Sequence, residues 1–140
     1  MASALLFLHF FGLMVGATGG FASGLLMRRA LSLPEAEAQT VRKLGPLLAN
    51  VSALGLAILW VTGPLLVLAK WEGGFAALPA LFEVKMVFAV LLTLAVGAIH
   101  WVYGEIRKGR RERASLLPRL GPLAGIASLL TVLFAVLAFS

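Results

Sequence analysis

Two histidines and a lysine stand inside or at the edge of long uncharged stretches of this 140-residue chain, and their chemistry has to be accounted for. His9 is embedded in Met1 to Met27, where no residue is charged. Lys85 opens a second uncharged stretch, Met86 to Gly104, and His100 lies near its far end beside Trp101 and Tyr103. An imidazole ligates iron or takes a proton near neutral pH, and an ammonium or guanidinium neutralises carboxylates. Arg28, directly after the first stretch, offers a second such cation. Inside a membrane, ionisable side chains are expensive and by default mark a functional site. The absence of cysteine excludes disulfides, thiolate catalysis, iron–sulfur clusters and thiolate zinc sites. A metal, including a haem iron, would therefore rest on His9, His100 or weaker ligands.

The elements that must position these residues follow from composition. Hydrophobic residues make up 61% of the chain, charged residues 13%, and the mean hydropathy is +1.00, well outside the range of a soluble globular domain. Crossing a hydrocarbon core takes roughly 20 apolar residues, and four stretches meet that length. They predict transmembrane helices at about 3–27, 44–69, 85–105 and 119–139. The expected fold is an all-α integral membrane protein, a single four-helix transmembrane bundle over residues 1–140. The first stretch is too long for a signal peptide and lacks a basic region before it. Pro46 falls in the first turn of the second helix, where a missing N–H costs little, and Thr62-Gly63-Pro64 predicts a kink near its far end. Asn50 is that helix's one strongly polar interior residue. Gly73 to Phe82, apolar but broken by Pro79, is too short to span and is expected at the interface or as a lead-in to the third helix.

The formal net charge is +6, but the basic residues sit in short connections beside apolar runs, where they set topology. Nucleic acid is excluded as a partner on that ground; the bilayer is the partner. Arg28, Arg29, Arg42, Lys43, Arg107, Lys108, Arg110, Arg111, Arg113 and Arg119 fall after the first and third helices, against Lys70 and Lys85 on the other side. The positive-inside rule predicts a multi-pass protein of a cell inner membrane, with both basic loops cytoplasmic and both termini outside. The cluster Arg107 to Arg113 also suits anionic lipid headgroups or a substrate's carboxylates.

Gly12, Gly16, Gly20 and Gly24 recur every fourth residue and keep one face of the first helix nearly free of side chains. Two readings are open: close packing of the small-xxx-small type, within the chain or in assembly with a second copy or a larger membrane partner, or a surface against which a flat cofactor lies beside His9. Leu44-Gly45-Pro46-Leu47 recurs as Leu120-Gly121-Pro122-Leu123, which predicts two repeated helix hairpins. The same alignment sets His9 opposite Lys85. At ~1.5 Å of rise per residue, His9 and Lys85 fall toward one end of the bundle, whereas His100 lies ~22 Å beyond Lys85 along the axis. Asn50 enters the second helix to about the depth of His100 and is its expected partner.

Leu8-His9 before a glycine-containing helix that ends at Arg28, then Val61-Thr62-Gly63, Val84-Lys85-Met86 and the pair His100-Trp101, together resemble the HemJ-like membrane protoporphyrinogen oxidases. More widely, the chain is similar to CopD-like small membrane proteins. The resemblance covers roughly residues 5–105. It implies His9, Arg28 and Lys85 as the functional polar residues, and haem b as the cofactor. His9 and His100 are the candidate iron ligands, with Gly12, Gly16 and Gly20 as the cofactor face. Three functions follow: a porphyrinogen-oxidising enzyme, a non-catalytic haem-binding or electron-relay subunit, and a cofactor-free module that assembles through its glycine face or lines a transport path.

Overall fold

A computed structural model describes all 140 residues, and they form an all-helical bundle. Helix α1 covers Ala2–Ala30, the short α2 Glu35–Arg42, α3 Gly45–Lys70, α4 Ala80–Arg107 and α5 Leu117–Phe139. Four of these, all but α2, are long and apolar enough to cross a membrane. Only 16 of the 140 residues are buried, while Phe7, Phe21, Leu25, Leu68, Leu94 and Val136 stand exposed on the helix surfaces. Such a surface is intolerable in water and is the expected one against lipid tails.

Helix boundaries follow local chemistry. Helix α1 runs past Met27 to take in Arg28 and Arg29, whose charges suit the negative end of the helix dipole. Pro34 precedes α2, Pro46 occupies the first turn of α3 and Pro118 that of α5, positions where the ring's missing N–H would have had no helical partner. Helix α3 continues through Pro64 as one element. The third membrane helix starts earlier than Lys85: after a 3₁₀ turn at Gly74–Ala77, Pro79 opens α4, so Lys85 sits in its second turn. Gly73 and Gly109 take left-handed backbone, φ 94° and 93°, where the chain reverses before α4 and after it.

The four long helices alternate in direction and touch in the cyclic order α1, α3, α4, α5. Contact is dense within the hairpins α1–α3 and α4–α5 and sparse between them. Lipid supplies no hydrophobic drive for helix association, so close backbone approach has to do it. In the first hairpin, Gly55 of α3 meets the backbone of Gly12 and Gly16, and Gly19 faces Ser52, whose hydroxyl donates to the Gly16 carbonyl at 3.0 Å. In the second, Phe88 and Phe134 stack with ring centroids 5.4 Å apart. These rings occupy the positions that the Leu44–Leu120 repeat assigns to Gly12 and Ile58, which touch in the first hairpin. The two hairpins thus share one register and fill it differently, by glycines in one and aromatics in the other.

Candidate functional site

At the end of the bundle that holds both chain termini, α1, α3 and α4 each carry a polar side chain. His9 of α1 has Nδ1 at 2.8 Å from the Thr62 hydroxyl oxygen of α3. That hydroxyl lies 2.7 Å from the Ile58 carbonyl. A carbonyl only accepts, so the Thr62 proton points to Ile58, and the Thr62 oxygen can only accept from the imidazole. His9 therefore carries its proton on Nδ1. Its Nε2 has no hydrogen-bond partner in the chain, and no polar side-chain atom is both buried and unpartnered, so this nitrogen is reachable from outside the packed chain. Thr62 is itself 4% exposed, which fixes the geometry.

Lys85 enters at the same end of the bundle, in the second turn of α4. Its ammonium lies 5.0 Å from the Phe82 ring centroid, and no carboxylate pairs with it. Phe82 is anchored below it in a cluster with Val67 and Ala138, and by edge contact with Phe139. The Lys85 stem is thus held by packing, while its charge keeps only an aromatic face as partner.

His100 belongs to a different layer. Its Nδ1 is 2.9 Å from the Val96 carbonyl and its Nε2 3.1 Å from the Asn50 side-chain oxygen. The Val96 carbonyl takes the Nδ1 proton; an imidazolium then donates to the Asn50 oxygen, and a neutral ring accepts from the same amide turned over. In both states each nitrogen is engaged. The two histidines bond α3 at Thr62 and Asn50, about 18 Å apart along the helix at ~1.5 Å per residue, so one iron cannot take both. Arg28, exposed at the opposite end of α1, is about 28 Å from the level of His9 by the same measure. The structure joins His9 to Thr62 directly and sets Lys85 at the same end of the bundle; Arg28 and His100 lie away from it.

The glycine face is occupied by α3. A side-chain carbon at Gly12 would fall 2.7 Å from Ile58, and one at Gly19 2.7 Å from the Ser52 amide, which leaves no space for a flat ring at Gly12 or Gly16. Gly20 lies at the rim of this contact and Gly24 is open. The packing line runs Gly12, Gly16, Gly19, because 3.6 residues per turn carries a strict four-residue ladder off the seam.

Thr62 was the member least visible in the sequence, where it reads as part of a proline kink; its pairing with His9 needs the hairpin register. No group of three or more His, Cys, Asp or Glu side chains converges anywhere in the chain. Comparison with family models, with curated proteins and with solved structures finds no match.

Proposed function

We propose that this small polytopic membrane protein binds a tetrapyrrole at the His9–Lys85 site, with protoporphyrinogen oxidation as the activity its resemblance to the HemJ-like family implies. The observation that supports this most directly is the His9–Thr62 pair. A histidine that ligates iron typically gives its other ring N–H to an oxygen, which fixes the tautomer and raises the basicity of the ligating nitrogen. His9 has this arrangement, with a bare and accessible Nε2. Lys85, lacking a carboxylate of its own, suits the propionate of a porphyrin ring. The donor set fits haem b: His9 would hold its iron and Lys85 would neutralise one of its carboxylates. Bound haem would supply one-electron chemistry.

By the positive-inside rule the basic connections face the cytoplasm and the His9 layer faces the outer leaflet of the inner membrane. The test is rescue of a bacterial strain lacking protoporphyrinogen oxidase, with the absorption spectrum of the purified protein beside it. Rescue that fails with His9→Ala and with Lys85→Ala supports the enzyme reading. A Soret band without rescue supports a haem-binding subunit. The absence of both rescue and a Soret band removes the proposal.

A further inference from the structure

We infer that the α4–α5 hairpin carries a seat for one anionic phospholipid, its acyl chain in an apolar groove and its phosphate at Arg113 and Arg119. The groove, of about 330 Å³, lies between the two helices and is lined by side chains that include Leu94, Ala95, Ala98, Leu123, Ala127 and Leu130. All ten lining residues are hydrophobic. The lining runs from Phe88 to Ala98 on α4 and from Leu120 to Leu130 on α5; with Phe88 level with Phe134, the two ranges are staggered and together cover about 21 Å at ~1.5 Å per residue. That is about two thirds of a ~30 Å hydrocarbon core. On α5 the lining begins at Leu120, next to Arg119, so the groove reaches the basic end of the hairpin.

Its mouth is cationic. The α4 series Phe88, Leu91, Ala95, Ala98 steps by three and four residues, and the same face continues to Trp101, Val102 and Glu105. Val102 is fully buried. The 3₁₀ segment Arg111–Leu116 folds back so that the Arg113 guanidinium lies 5.2 Å from the centre of the half-exposed Trp101 ring. On α5, Arg119 stands four residues before Leu123, on the groove side of the first turn. Glu105, nearly buried, already accepts from Arg110 and Lys108. Arg113 and Arg119 have no carboxylate partner. A tryptophan at interfacial depth, two guanidinium groups without a carboxylate partner and an apolar slot that reaches them together complement a phosphodiester on an acyl chain. The seat is independent of the His9 site, which lies at the other end of the bundle.

The experiment is lipid binding to the detergent-solubilised full chain, counted by native mass spectrometry and by quenching of tryptophan emission with brominated-chain lipids. Phosphatidylglycerol is compared with phosphatidylcholine of the same chains. Two charges near the membrane surface, each worth roughly fivefold, predict a preference of about 30-fold for phosphatidylglycerol. The double variant Arg113→Gln/Arg119→Gln reduces that preference to near unity, whereas Arg42→Gln/Lys43→Gln in the other basic loop leaves it unchanged. Ala98→Phe, which fills the groove and keeps every charge, lowers phosphatidylglycerol binding about tenfold. Equal binding of the two lipids, equal effects of the two charge-removing variants, or displacement by millimolar inorganic phosphate overturns the proposal. Helix content by circular dichroism confirms that each variant is folded.

Discussion

His9 donates to Thr62 across the α1–α3 seam at 2.8 Å, and the Thr62 hydroxyl donates in turn to the Ile58 carbonyl one turn back in the same helix. The chain of donors runs one way, so the imidazole has a single neutral tautomer and shows its lone pair outward. Everything proposed for this protein's chemistry rests on that orientation.

Replacing Thr62 by valine keeps the shape and removes the acceptor. Ligand affinity at Nε2 should fall about 10- to 100-fold, the usual effect of losing such a partner, while Thr62→Ser retains it. Titration of each variant with haem, followed by absorbance, distinguishes the two. Equal affinity in Thr62→Val and the parent would show that the tautomer is not held by Thr62.

Gly55 and Gly24 separate packing from composition. A side-chain carbon at Gly55 would overlap the backbone of Gly16 and Gly12, whereas at Gly24 it meets nothing. Gly55→Ala should destabilise the first hairpin by about 1–3 kcal/mol, the cost of overfilling a tight contact. Gly24→Ala should be neutral or stabilising by up to about 1 kcal/mol through helix propensity. Unfolding in mixed micelles with increasing sodium dodecyl sulfate reads both.

Asn50→Leu should cost about 1 kcal/mol, in the range of single interhelical hydrogen bonds inside membranes, and should leave tetrapyrrole binding intact because its layer is about 18 Å from Thr62 along α3. The same unfolding assay and the haem titration measure the two halves of this expectation. A variant that unfolds no more easily but loses haem would place His100, not His9, at the cofactor.

Much of the architecture is legible in the residues, because the absence of charge over membrane-length stretches dictates helices almost without regard to detail. The pairing of His100 with Asn50 follows from depth and polarity, since a polar group in lipid needs a partner and Asn50 is the one strongly polar interior residue of its helix. Depth likewise put His9 and Lys85 at one end. What escapes a one-dimensional reading is lateral: Thr62 becomes the partner of His9 only through the rotation of α3 against α1. The glycine seam passes through Gly19 instead of Gly20 because helical twist, invisible as spacing, decides which glycine faces α3. Helix α4 begins at Ala80 because Pro79 is an effective start signal, and that moves Lys85 from the helix end into its second turn.

The most direct measurement is a haem titration of the purified parent, His9→Ala and His100→Ala proteins, monitored in the Soret region. Saturable binding of one haem per chain is expected in the parent and in His100→Ala, with affinity at least about tenfold weaker in His9→Ala. Unchanged binding in His9→Ala, or its loss in His100→Ala alone, would contradict that expectation.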